Sequence, residues 1–145
     1  MYEFFEHTAD LGLRVRAKDL PQLFVEAARG LYSMIVTPEL SPDEQHVWPL
    51  EKDLVISGTN IEYLFFDWLH ELLMLFESEH FVAHRITVEV TEAGVNAHVF
   101  GEPLDEGRHR LEHEVKAITY HGLRVEKQSE GEQPGGWLAE VIVDI

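Results

Sequence analysis

Hydrophobic residues recur with a period of two along most of this sequence. They recur at steps of three and four in only two stretches, and that balance constrains the fold more than any other feature. Leu11, Leu13, Val15 and Ala17 alternate with Gly12, Arg14, Arg16 and Lys18, the pattern of a half-buried strand. Phe4 and Phe5 precede it, and His7-Thr8-Ala9-Asp10 reads as the bend between two short strands. Ile86, Val88 and Val90 alternate, Thr91-Glu92-Ala93-Gly94 turns the chain, and Val95, Ala97 and Val99 alternate again, which predicts a hairpin. Residues 47–57 read as one or two strands interrupted near Pro49, and 114–127 and 137–145 as two more. The stretch 101–107 is turn-rich, and 128–136, with Pro134-Gly135-Gly136, is a polar and mobile connection.

The two helical stretches carry start signals. Asp19 suits an N-cap, Pro21 is tolerated in a first turn, and Gln22 sits where a capping box needs it. Leu20, Leu23, Phe24, Ala27, Ala28, Leu31 and Ile35 then share one face, and 37–43, with Pro38 and Pro42, ends the helix. Thr59-Asn60-Ile61-Glu62 reads as a second capping box, opening a helix to about Glu77. That helix is apolar nearly all round and is expected to be the more buried of the two. Hairpins, not βαβ crossovers, separate the helices. The expected fold is therefore α+β: a single domain over residues 1–145, with a mixed or antiparallel sheet packed against two main helices.

Composition narrows the function. With 27 acidic residues against 11 Lys and Arg, the formal charge is −16. Such a surface repels phosphate backbones, so direct nucleic-acid binding is not expected, whereas divalent cations and basic protein partners are favoured, as is plain solubility. Cysteine is absent, which removes disulfides and thiolate chemistry. The N-terminus lacks a basic and then apolar export signal, and Asp67, His70 and Glu71 interrupt the most apolar stretch, 61–76. A cytoplasmic protein with no membrane span is the expectation. No Gly-rich phosphate loop, no G-x-S-x-G elbow and no H-E-x-x-H motif occurs.

Among the polar candidates, His80 and His84 are four apart, as are His109 and His113, but neither pair has a carboxylate in register. Surface or capping roles are expected for them. Asp67 and Glu71 share a helix face with His70 nearby, which suits an acid/base pair, half a metal site, or the solvent-facing side of a buried helix. At the chain end Val141, Val143 and Ile145 alternate with Ile142 and Asp144. A strand running to the last atom would set the Asp144 carboxylate beside the terminal carboxylate of Ile145. Two such groups repel unless a cation or a lysine stands between them; hard oxygen donors suit Mg²⁺ or Ca²⁺, and a solvated, frayed terminus is the other reading.

Separated blocks resemble one known pattern. His7-Thr8-Ala9-Asp10-Leu11-Gly12 is similar to the N-terminal signature of archeases, and Phe66-Asp67-Trp68-Leu69-His70-Glu71-Leu72-Leu73 to their central helix, which often has Asn where His70 stands. Glu114-Val115-Lys116-Ala117-Ile118-Thr119-Tyr120-His121 and the closing Val141-Ile142-Val143-Asp144-Ile145 are similar to their C-terminal strands. The resemblance implies an α+β protein that is not itself an enzyme. It implies an activator of the GTP-dependent RNA splicing ligase that acts in tRNA splicing, promoting guanylylation of the ligase histidine and multiple turnover. It further implies a divalent cation, Ca²⁺ or Mg²⁺, held by Asp10, Asp144 and the terminal carboxylate of Ile145, with Lys116, His7 and His121 as further functional positions. Two other functions compete: a stand-alone metal-dependent phosphohydrolase using Asp10, Asp67, Glu71 and Asp144, and a chaperone-like adaptor for RNA-modifying enzymes that works by binding alone.

Overall fold

The computed structural model describes residues 1–7, 10–37, 46–129 and 135–145. In chain order the elements are β1 (Tyr2–His7), β2 (Asp10–Ala17), α1 (Leu20–Ile35), β3 (Val36–Thr37), β4 (Leu50–Ser57), α2 (Ile61–Glu79), β5 (Phe81–Thr91), β6 (Gly94–Pro103), β7 (Arg110–Leu111), β8 (Ala117–Ile118), β9 (Arg124–Lys127) and β10 (Trp137–Asp144). The fold is α+β, and every strand pairing described is antiparallel.

One sheet runs β1-β2-β10, with β8 and β9 both pairing on the far edge of β10; a second runs β4-β6-β5, and β3 pairs with β7. The 11–17 alternation appears as predicted: Leu13, Val15 and Ala17 are buried, while Arg14 and Arg16 are half-exposed. The expected strand over 114–127 instead breaks into β8 and β9 around a turn in which the Leu123 N–H bonds to the Tyr120 carbonyl at 3.2 Å and Gly122 takes a φ of 67°. A left-handed residue cannot continue a strand, so the break follows from Gly122. Residues 47–57 form one strand beginning at Leu50, after Pro49, which has no N–H to give a ladder. Of the polar 128–136 connection, residues 130–134 lie outside the described residues; its ends are closed by Gln128 N–H to Gly136 O at 2.7 Å.

Both helices begin with side-chain caps. Asp19 accepts from the Gln22 N–H at 2.9 Å, as the motif predicts. At α2 the cap is Asn60, not Thr59: its side chain accepts from Glu62 and Tyr63 N–H at 3.0 and 3.1 Å. Asn is at least as good an acceptor as Thr at this position and lies one residue closer to the first turn. The expected order of burial is reversed. Helix α1 lies between the two sheets, contacting β2 and β5, and it buries Leu23, Phe24, Ala27, Ala28, Leu31, Tyr32, Met34 and Ile35. Helix α2 buries one side through Leu64, Phe65, Trp68, Leu69, Leu72, Leu73 and Leu75, while Tyr63 is left 59% exposed. The helices are pinned to their neighbours by polar atoms inside the core: Trp68 Nε1 donates to the Phe24 carbonyl at 2.9 Å and the Tyr32 hydroxyl to the Phe81 carbonyl at 3.1 Å. A buried N–H or O–H without such an acceptor would cost about 1–3 kcal/mol.

Candidate functional site

The last strand and the second strand meet at the acidic residues. β10 lies antiparallel to β2 with Asp144 directly opposite Asp10, and β1 lies on the other side of β2 with His7 opposite Asp10. Asp10 and Asp144, directly opposite in an antiparallel pair, project to the same face, with Cβ atoms about 4.5–5.5 Å apart. The flank of β10 is occupied by β8, where Ala117 stands opposite Asp144 and the Lys116 N–H donates to the Asp144 carbonyl at 2.7 Å. Asp10, Asp144 and Ile145 are half-buried; Lys116 and His121 are exposed. One end of the sheet thus gathers Asp10, Asp144, Ile145 and Lys116. His121 stands further along, beyond Thr119, whose hydroxyl accepts the His121 N–H at 3.3 Å. Thr8 and Ala9, between the His7 and Asp10 of the signature, lie outside the described residues.

Like charges directly opposite in a sheet destabilise it, and a carboxylate-rich edge turns that cost into affinity for a hard cation. The donor set fits: carboxylate oxygens on adjacent strands, with more than one oxygen available per residue. Such a set favours Ca²⁺ or Mg²⁺ over metals that prefer imidazole or thiolate.

The histidine pairs resolve differently from the expectation. His80 is the C-cap of α2, in the left-handed region at φ 52° with its N–H on the Phe76 carbonyl, which agrees with a capping role. His84 and His109, one from each pair, are buried and share Glu102. The cause is a bulge: Ala83 pairs with Gly101 and Arg85 with Phe100, so His84 is an extra residue and its side chain is re-aimed. Its Nε2 comes within 2.6 Å of Glu102, and His109 Nε2 lies 3.6 Å from the same oxygen. Arg108 pairs with the other Glu102 oxygen. The Trp48 ring stacks on the His84 ring at 3.9 Å and 3°.

Burial, helped by the nearby His109, His46 and Arg108 charges, pushes His84 down to about 4, and burial and Arg108 also lower His109. By composition and spacing His84, Glu102 and His109 could hold a metal ion. An ion there would have to share Glu102 with Arg108, which holds the other carboxylate oxygen. It would also need the lone pair of His109 Nε2, yet His109 Nδ1 already accepts the Asp105 N–H at 2.9 Å, which leaves the ring proton on Nε2. Local spacing in the sequence could not reveal this group, because its carboxylate and its two rings come from different parts of the chain.

Asp67, His70 and Glu71 lie on the half-buried to exposed side of α2, in line with the solvent-facing reading. Glu71 is exposed, His70 lies parallel to Phe66 at 6.0 Å, and Asp67 lines a groove of about 650 Å³ with Asn60, Glu62, Tyr63, Tyr120 and Leu123. No helix among the described residues is long and apolar enough to cross a membrane.

Over residues 2–145 the chain matches the Archease protein family (MTH1598/TM1083). It is 36% identical to the protein archease of Thermococcus gammatolerans, covering 99% of this chain and 98% of that one, and 34% identical to the protein archease of Methanosarcina mazei, covering 99% and 95%. Among solved structures it resembles Methanobacterium thermoautotrophicum protein 1598, with a TM-score of 0.73 and 26% identity over 99% of this chain and 98% of that one. It also shares its fold with a Thermotoga maritima archease described as a possible chaperone, with a TM-score of 0.63 and 19% identity over 100% and 98%.

Proposed function

The chain belongs to the archease family, and from that premise we propose that it is a protein cofactor of a GTP-dependent RNA splicing ligase. It promotes guanylylation of the ligase histidine and so supports multiple turnover in tRNA splicing. Its working edge is Asp10, Asp144 and the terminal carboxylate of Ile145, with Lys116, His7 and His121 close by in sequence or in the sheet. The observation that carries the reading is the Asp10–Asp144 pairing across β2 and β10. A Ca²⁺ or Mg²⁺ ion held there would supply positive charge next to developing phosphate charge.

The chain's own groups define what it can do. The carboxylates bind and orient, and Lys116 keeps the edge from being purely anionic. No Gly-rich loop is available to hold a triphosphate, so the nucleotide and the nucleophile belong to the ligase. The formal charge of −16 argues for a protein surface, not an RNA backbone, as the direct contact.

A guanylylation assay at limiting ligase, with GTP and Mg²⁺, tests this. Adding the chain is expected to raise both the rate and the number of turnovers, while the chain alone with GTP and RNA ends produces nothing. Turnover by the chain alone would make it a phosphohydrolase. Stimulation that survives loss of the acidic edge would make it a chaperone-like adaptor acting by binding; the Thermotoga maritima archease is described as a possible chaperone.

A further inference from the structure

We infer that the groove between the start of α2 and the 119–123 turn is a receptor for one arginine side chain of a basic partner protein, stacked on Tyr63 and Tyr120 and paired with Glu62 and Asp67. This rests on the proposed function only in calling for a protein partner. The groove, of about 650 Å³, is lined by Asn60, Glu62, Tyr63, Asp67, Tyr120 and Leu123, with no lysine or arginine among them. Tyr63 and Tyr120 are 59% and 56% exposed, unusual for large rings with no visible cover. Their rings meet edge to face at 5.9 Å and 88°, and Phe66 backs Tyr120 at 3.9 Å and 11°.

The walls are fixed before any partner arrives. The Asn60 side chain is committed to the Glu62 and Tyr63 N–H groups, which sets the first turn of α2. Thr119 is tied twice to the Ile142 carbonyl, by its N–H at 3.0 Å and its hydroxyl at 2.8 Å, and Tyr120 O closes the turn on Leu123. A preformed slot avoids much of the ordering cost of binding.

Charge and shape select the occupant. An anion is repelled by Glu62 and Asp67 and by a chain of formal charge −16. An apolar side chain would strip water from the two carboxylates without replacing it. A guanidinium satisfies both features, its face on an aromatic ring and its N–H fork on a carboxylate, whereas the ammonium of lysine has no planar fork. The positive end of α2 opposes a cation, but it is equivalent to only about +0.5 charge against two full negative charges. Tyr120 also follows soon after Ala117, the residue opposite Asp144, so a loop anchored here lies on the segment that flanks the acidic edge.

The test is an NMR titration of the full chain with the peptide acetyl-Gly-Arg-Gly-amide and with its citrulline counterpart, which has the same shape and no charge. The arginine peptide is expected to shift the Tyr63 and Tyr120 ring resonances saturably, and the citrulline peptide to bind at least about tenfold more weakly. Asp67→Asn and Tyr120→Ala should each weaken the arginine peptide by about tenfold or more, with unfolding midpoints confirming that both variants remain folded. Equal response to citrulline, shifts that avoid both tyrosines, or full binding by the Asp67→Asn/Tyr120→Ala double variant would overturn the assignment. No ligase is present in this titration. A silent guanylylation assay therefore counts against the ligase reading alone, and a silent titration against the arginine slot alone.

Discussion

Asp10 and Asp144 face each other across two strands, an arrangement that costs stability whenever nothing positive stands between the carboxylates. In chelator, Asp144→Asn is therefore expected to leave the unfolding midpoint unchanged or slightly raised, with Asp10→Asn measured beside it. In Ca²⁺ or Mg²⁺ the wild-type chain should gain stability, about 2.7 kcal/mol once the ion reaches a hundred times its Kd, and the variants should gain almost none. Thermal unfolding across a metal titration reads both effects, and a variant that keeps the full metal-dependent rise would remove that residue from the ligand set. These positions were legible beforehand because they lie in short local blocks that resemble a family pattern. The Glu102 group was not, since its side chains meet only through the β5–β6 pairing, the bulge at His84 and the turn that brings back His109. Sequence spacing carries helical neighbours well and cross-strand neighbours hardly at all.

At the scale of elements, the outer face of the first sheet carries a ladder that no linear motif announces. Glu3, Arg14, Glu140 and Arg124 stand directly opposite one another across β1, β2, β10 and β9. Arg14 reaches Glu3 at 3.2 Å and Glu140 at 3.0 Å, and Arg124 Nε reaches Glu140 at 2.6 Å. Burial tends to raise the Glu140 carboxyl, but the two guanidiniums outweigh it and hold it below 4.5. Its stabilisation is thus present above the unfolded value of 4.5 and fades as pH falls through the lower folded value. Glu140→Gln should cost about 0.5–1 kcal/mol near neutrality, a figure kept small by solvent screening, and progressively less below pH 4.5; urea unfolding at several pH values measures it.

Turn chemistry belongs to the same scale. A Cβ on Gly94, at φ 146°, would lie 2.0 Å from the Ile56 carbonyl of the neighbouring strand. Gly94→Ala should therefore destabilise the chain by more than about 2 kcal/mol, far beyond the ordinary strand cost, or prevent folding. Asn60→Ala removes the α2 cap and should cost about 1 kcal/mol in the same assay. The hairpin and the α1 start were predictable because their signals are local, and the α2 start was read with its cap one residue early. The splitting of 114–127 and the deeper burial of α1 were not, because a single glycine and the placement of two sheets around one helix decided them.

For the molecule as a whole, β2 and β10, far apart in the sequence, pair in the centre of one sheet, and the chain carries a formal charge of −16. Association with a basic partner should then be steered by charge, slowing markedly between low and physiological salt while dissociation changes less; stopped-flow mixing at several ionic strengths shows this. The resemblance and the charge balance together point toward a basic protein partner, as proposed, whereas the proposed contact groove is not visible in the sequence because its side chains from α2 and the 119–123 turn meet only in space. The most direct measurement is ligase guanylylation at limiting enzyme with wild-type chain, Asp144→Ala, and a chain extended beyond Ile145 so that the terminal carboxylate becomes an amide. Strong stimulation by the wild type and little or none by the other two, all equally folded, is the expected result. Undiminished stimulation by Asp144→Ala would contradict an acidic metal-holding edge as the working part of the protein.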